Sequence, residues 1–362
     1  MQHVCLHIPA SSRASYGKKA EKRQKGVAME FGCSSFAWNT EDGTHLLGRT
    51  YDQFGTLSGN RIVLIPPGTA MGTAVGTGEK NVRVRYAMAG MAVMGLHTPI
   101  LVDGVNEKGL MGALLNYPGY RVSEMIKQDG KSSVHPGFLV NFLLGRAESV
   151  EEAVRELKKI RISNELVFGE TMSVHYMFSD RTGEAVVVEP EEGGLKIHRD
   201  TIGVMTNSPD YLWHRTNLRN YGGIFYKEGP RKFLNMELMG FGEALGGGFG
   251  LPGDYSSPSR FVRLAALKEA AVKGKNEEDG VMRMFQIFSS VDTPEGILRS
   301  EDKEKGYEMT LCISVMCAES GTYYFSVREN RRICAVRLNG KLEGQGICCY
   351  ELPRRQDVDY WN

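Results

Sequence analysis

The chain has 362 residues, 41% apolar and 24% charged, close to globular averages, which excludes disordered, collagen-like and coiled-coil chains. Lys and Arg (44) nearly cancel Asp and Glu (43), so no overall field selects nucleic acid or an anionic membrane, and a small neutral or weakly charged ligand fits better. With no run of about 18 apolar residues and no secretory signal at its start, the chain is expected to be cytoplasmic, with its cysteines reduced.

Residues 1–28 form a basic arm in which Arg13, Lys18, Lys19, Lys22, Arg23 and Lys25 face a single acid, Glu21. It has almost no apolar periodicity and reads as a solvated tail. Lys25-Gly26 can be encoded by a purine-rich ribosome-binding sequence two codons ahead of Met29, so translation is expected to start at Met29. Sequencing the native N-terminus tests this. A hairpin follows: Phe36–Asn39, a turn through Thr40-Glu-Asp-Gly43, then His45–Arg49. A turn centred on Glu41 predicts Cys33 opposite Arg49 and near Asp52.

Further strands are predicted over Arg61–Ile65, Met111–Leu115, Met172–Phe178, Ala185–Glu189, Met309–Met316, Tyr323–Val327 and Ile333–Arg337. Ser149-Val-Glu-Glu152 is a capping box, and Val150, Ala153, Val154, Leu157 and Ile160 form one apolar stripe behind it. Two more helices are predicted over Ser259–Val272 and Val281–Ser289. Strand groups separated by helix pairs give an α+β class: stacked antiparallel sheets with helices outside, in one domain.

Several features carry no chemistry. The segment Gly240 to Gly250 is glycine-rich but lacks the strand and the residue order of a phosphate loop, so it reads as a loop. The eight histidines are scattered without ligand spacing, so no metal is expected. Cys312 and Cys317 lie in an apolar strand as small hydrophobes.

Cys33 differs by its setting. Met29-Glu-Phe-Gly-Cys-Ser-Ser-Phe36, Gly48-Arg-Thr-Tyr-Asp52, Asp103-Gly-Val-Asn-Glu-Lys-Gly-Leu-Met-Gly112, Gly203-Val-Met-Thr-Asn-Ser-Pro209, Trp213-His-Arg-Thr-Asn-Leu218, Gly250-Leu-Pro-Gly-Asp254 and Ser259-Arg-Phe261 resemble the choloylglycine hydrolase family of N-terminal-nucleophile hydrolases. The resemblance runs in the family's order from about Met29 to Gln356.

That resemblance implies a four-layer αββα sandwich over residues 33–362 that cleaves a linear amide, with residues 1–32 removed as arm and short propeptide. Cys33 would then be the first residue, its thiol the nucleophile and its α-amine the base. An α-amine titrates near 8, well placed for that work, and Gly32 offers no side chain to obstruct self-cleavage. By the same resemblance Arg49 lowers the thiol pKa, Asp52 orients the α-amine, Asn207 and Asn116 donate to the oxyanion, and Arg260 supports the site electrostatically. No metal or organic cofactor is implied, and a homotetramer is.

The substrate branch is mixed. Trp213 to Leu218, Thr206 to Pro209 and Val105 to Met111 look like penicillin V acylases, whereas Asn116-Tyr-Pro-Gly-Tyr120 looks like conjugated bile salt hydrolases. The balance leans to the acylase type, with Trp213 as an aromatic wall for the acyl group and Tyr117 as a second substrate contact. The alternatives are a conjugated bile salt hydrolase and an unprocessed, non-catalytic binding protein of the same fold.

Overall fold

Apolar residues run without a break along central strands because successive side chains serve two layers in turn. In Asn60–Ile65, Ile62 and Leu64 face one buried cluster while Val63 and Ile65 face the other. Ala185–Glu191 divides in the same way, with Val187 on one side and Val186 and Val188 on the other.

The computed structural model describes residues 6–8, 31–74, 81–96, 98–119, 131–163, 165–166, 171–191, 194–222, 224, 232–234, 236–237, 248, 250–300, 302, 304–339, 342 and 346–362. Two large antiparallel sheets dominate these residues. The nine-stranded sheet runs, in spatial order, through Leu6–Ile8, Ile347–Tyr350, Asn60–Ile65, Met88–Val93, Ile100–Asn106, Met111–Asn116, Val174–Ser179, Ala185–Glu191 and Gly194–His198. The seven-stranded sheet runs through Val204–Met205, Phe31–Asn39, His45–Phe54, Tyr307–Cys317, Thr322–Val327 and Asn330–Arg337, with Leu298–Arg299 also paired to Tyr307–Cys317.

The sheets stack face to face. Leu139–Leu144 and Val150–Leu157 pack on the outer face of the nine-stranded sheet, and Ser257–Ala270 and Glu277–Phe288 on that of the seven-stranded sheet. The result is the expected αββα order. Close approach of the last helix depends on Gly48: a Cβ there would run into the Phe288 ring. Among the described residues no helix is long and apolar enough to cross a membrane.

Ser149 caps its helix as predicted, its hydroxyl accepting from the Glu152 N–H at 3.3 Å. The helix ends at Leu157, however, and Ile160 belongs to the short strand Ile160–Ile162, because a three-residue step continues a helical stripe and a turn into a strand equally well. The hairpin register also differs. Asn39 and His45 close the turn, so Cys33 faces Tyr51, and Arg49 faces Ser35. The turn spans Thr40 to Thr44, tied by Thr40 N–H to the Thr44 carbonyl at 3.0 Å, with Gly43 at φ 87°.

Two expectations for the termini are corrected. Leu6–Ile8 is not solvated tail but the outermost strand, antiparallel to Ile347–Tyr350; pairing backbone to an open sheet edge needs no apolar periodicity. Cys348, on that neighbouring strand, is disulfide-bonded, whereas Cys33, Cys312, Cys317, Cys334 and Cys349 are free. The rest of the basic arm, Met29, and the glycine-rich segment apart from Gly248 and Gly250 lie outside the described residues.

Candidate active site

The strand Phe31–Asn39 is paired on one side with the short strand Val204–Met205, against Phe36 and Ser35, and its Ala37 N–H donates to the Gly203 carbonyl at 2.9 Å. Past Met205 the chain leaves the ladder, and the side chain of Asn207 takes over the pairing. The Cys33 backbone N–H donates to Asn207 Oδ1 at 2.9 Å. A nucleophile candidate therefore sits where a sheet edge turns from backbone to side-chain bonding.

On the inner face, Cys33, Arg49 and Tyr51 share one side of the sheet. Arg49 is fully buried; its Nη2 donates to Cys33 Sγ at 2.7 Å and its Nη1 to the Val102 carbonyl at 2.9 Å. The guanidinium lies over the Tyr51 ring, 4.7 Å from its centroid, and 3.8 Å from Asp103 Oδ2. Asp103 in turn accepts from Ser314 Oγ and Tyr323 OH, each at 2.7 Å. These donors hold the carboxylate that balances Arg49.

On the opposite face Asp52 is paired with Gly32 and Thr310 across the sheet. Its Oδ1 accepts from Thr310 Oγ1 at 2.7 Å, and its Oδ2 lies 3.8 Å from Arg260 Nη1. Burial pushes the Asp52 carboxyl up to about 6, against the opposing pull of Arg260 and the threonine hydroxyls. A Cβ on Gly32 would displace the Glu308 carboxylate and press on the Asp52 Cβ at 3.3 Å.

Arg260 ties the pieces together from the first turns of its helix. Its Nη1 donates to the Cys33 carbonyl and to Ser34 Oγ, both at 2.6 Å, and its Nη2 to Asn207 Oδ1 at 2.7 Å. Burial dominates at the thiol: it pushes Cys33 above the ordinary range despite Arg49 and the Asp52 backbone N–H, both of which favour the thiolate. The lowering expected from Arg49 is thus outweighed while Cys33 is enclosed with Gly32 attached.

Asn207 Nδ2, expected to face an oxyanion, donates here to the Asn116 carbonyl at 2.8 Å. The Asn207 backbone is held at both ends, its N–H by Ser257 Oγ at 2.9 Å and its carbonyl by His214 Nε2 at 2.8 Å. Burial lowers His214 to about 4, so its neutral ring carries the proton on Nε2. Tyr117, next to Asn116, is fully buried and stacks on His175 with centroids 4.4 Å apart.

The six residues Cys33, Arg49, Asp52, Asn116, Asn207 and Arg260 are thus linked into one buried cluster. Trp213 is elsewhere. It is 43% exposed, edge-on to His214, and it is His214 rather than Trp213 that reaches the site. Sequence reading missed Asp103, Ser314, Tyr323, His175, Glu189 and His214 as members; the Asp103-Gly-Val-Asn and Trp213-His-Arg-Thr motifs carried a signal for two of them, Asp103 and His214.

A buried thiol bonded to a guanidinium at a strand start, in stacked antiparallel sheets between helices, defines the N-terminal-nucleophile hydrolase class of fold. Residues 33–350 match the family of linear amide C–N hydrolases known as choloylglycine hydrolases, and the chain belongs to that family. It is 32% identical to a bile salt hydrolase/transferase of Clostridium perfringens over 91% of this chain and all of that protein. A bile salt hydrolase/transferase of Lactiplantibacillus plantarum is 31% identical over 87% of this chain and 95% of its own length. Among solved structures, a variant of the conjugated bile acid hydrolase of C. perfringens superposes with a TM-score of 0.81, at 32% identity, covering 91% of this chain and all of that one. Penicillin V acylase of Agrobacterium tumefaciens gives 0.67 at 21% identity, covering 84% and 86%, a likeness of fold. The protein is a linear amide C–N hydrolase by family.

Proposed function

We propose that the protein is a conjugated bile salt hydrolase that works through Cys33 after loss of all residues through Gly32. The observation that carries the reading is the family match beginning at Cys33, whose Sγ lies 2.7 Å from Arg49 Nη2. The bile salt assignment rests on relatives of that kind at 27 to 32% identity over 83 to 91% of the chain. The penicillin V acylase reading has weaker support: its solved example argues for fold only, and Trp213, its proposed acyl wall, faces solvent.

In the proposed reaction the freed α-amine of Cys33 takes the thiol proton, and sulfur bonds to the amide carbonyl carbon. The oxyanion is held by donors from Asn207 and Asn116, each such donor typically contributing about 3–4 kcal/mol. The C–N bond breaks as the amine leaves with the proton from the α-ammonium, giving an acyl thioester that water then hydrolyses. Asp52 orients the α-amine, Arg49 favours the thiolate once the site is open, and Arg260 fixes Cys33 and Asn207 together. Tyr117 is a buried wall behind Asn116. The enzyme is further proposed to be a cytoplasmic homotetramer, which cell fractionation and light scattering test.

The experiment is amide hydrolysis of glycocholate and penicillin V side by side, with Cys33→Ala as blank and intact mass measured on the same samples. Faster glycocholate cleavage by protein starting at Cys33 is the expected result. Faster penicillin V cleavage would restore the acylase reading, and an inactive protein of full unprocessed mass would favour a binding protein.

A further inference from the structure

Glu189, in the Ala185–Glu191 strand, is fully buried, yet it faces three donor groups. His198 Nε2 reaches its Oε2 at 3.0 Å, the Tyr211 backbone N–H its Oε1 at 3.0 Å, and His175 Nδ1 its Oε1 at 3.3 Å. Burial alone would raise this carboxyl, but the two imidazoles outweigh it and hold Glu189 at about 2. It is a buried carboxylate.

The other nitrogen of His175 faces the Thr206 carbonyl, at 2.8 Å. A carboxylate and a carbonyl only accept, so both ring nitrogens of His175 are placed to donate, the arrangement an imidazolium would satisfy. Its position is what gives it a role. Thr206 immediately precedes Asn207, and Tyr117, on whose ring His175 stacks at an interplanar angle of 12°, immediately follows Asn116. One buried ring thus touches the neighbours of both residues proposed to hold the oxyanion.

We propose that His175 is a positioning residue for amide hydrolysis: held as an imidazolium between Glu189 and the Thr206 carbonyl, it fixes the backbone ahead of Asn207 and the ring beside Asn116. This rests on the oxyanion roles given above to Asn116 and Asn207. The titratable and charged groups around the ring are Glu189, His198 from the next strand, Tyr211 and His214 from the Tyr211–Asn217 helix, Tyr117, and Arg260 beyond His214. His214 is neutral at working pH and, like Tyr117, adds no competing charge.

The test uses the processed enzyme and glycocholate. His175→Gln should lower kcat by about tenfold to a hundredfold with KM within twofold of the parent, as expected for a small misplacement of reacting groups. Glu189→Gln, nearly the same shape, leaves the imidazolium without its counter-charge; kcat should then fall as pH rises through neutrality, a slope the parent lacks. Nitrogen-15 spectra of histidine-labelled parent should show both His175 nitrogens protonated at pH 7, the signals being identified by their loss in His175→Gln. A His175 signal from a bare ring nitrogen, or Glu189→Gln with the parent's pH profile, overturns the inference. Asn207→Ala run alongside separates the two levels: if it is inactive while His175→Gln keeps full kcat, the positioning role alone fails. If Asn207→Ala keeps full kcat, the oxyanion reading fails, and the positioning role with it.

Discussion

Cys33 and Cys312 lie in one row of the seven-stranded sheet, paired with Tyr51 from opposite sides, and both are buried free thiols. Burial pushes both above the ordinary thiol range. They part in their neighbours. Cys33 Sγ accepts from Arg49 Nη2 at 2.7 Å and lies past the end of the short Val204–Met205 ladder, whereas Cys312 sits mid-strand, feels the Asp103 carboxylate, and its sulfur meets backbone groups of Ile313, at 3.5 Å, and Ser326. The comparison teaches that burial does not distinguish a core cysteine from a nucleophile. A fixed cation, a nearby acceptor for an amine and an exit from the sheet do.

The strongest way to break that contrast is at Cys33 itself. Cys33→Ala should reduce glycocholate hydrolysis by at least about 10⁴-fold and leave the unprocessed mass, since neither step has a second sulfur to use. Activity persisting at the parent rate would remove Cys33 from the mechanism. Asn207→Ala is expected to come next, at about 10² to 10³-fold in kcat, because the Cys33 nitrogen and Arg260 both lose the oxygen they share.

Asp52 sharpens the comparison because it opposes function to stability. Its carboxyl titrates near 6 in the folded chain, above the roughly 3.9 of an unfolded aspartate. A group raised in this direction adds stability that is complete below the unfolded value and lost as pH climbs through about 6. At pH 8 the ionised, buried Asp52 therefore costs the fold up to about 3 kcal/mol. Asp52→Asn should melt higher than the parent at pH 8, lose that advantage at pH 4, and hydrolyse far more slowly at both. An equal shift in melting temperature at the two pH values would show that Asp52 is not titrating as described.

Much of this site is legible in the sequence because its parts lie in short contiguous motifs. Cys33, Arg49 and Asp52 belong to one hairpin, and Asn207 and Arg260 sit in segments with a recognisable order of residues. The hairpin register came out two residues short, since Thr44 extends the turn beyond Gly43, yet Arg49 still reaches Cys33 because a two-residue slip keeps side chains on the same face. The supporting shell is not legible. Asp103 and Tyr323 meet across the two sheets, and His175, Glu189 and His198 come from three adjacent strands whose sequences show only burial. Met88–Val93 and Ile100–Asn106 escaped as strands for a related reason: both are buried nearly end to end, so they show no alternation. Trp213 misled because one helical step separates a residue that faces solvent from His214, which faces Asn207.

The smallest expected effect is the decisive control. Cys312→Ala removes a sulfur from the interior without touching a charge partner, so it should cost about 1 kcal/mol of stability and leave kcat for glycocholate within twofold. On native processed protein a thiol-alkylating reagent should modify Cys33 with loss of activity and leave Cys312 unmodified, as mapped by peptide mass. If Cys312→Ala instead lowered kcat more than tenfold without lowering the melting temperature, the row Cys33–Tyr51–Cys312 would have to act as a unit. Arg49 would then not be what separates the two thiols.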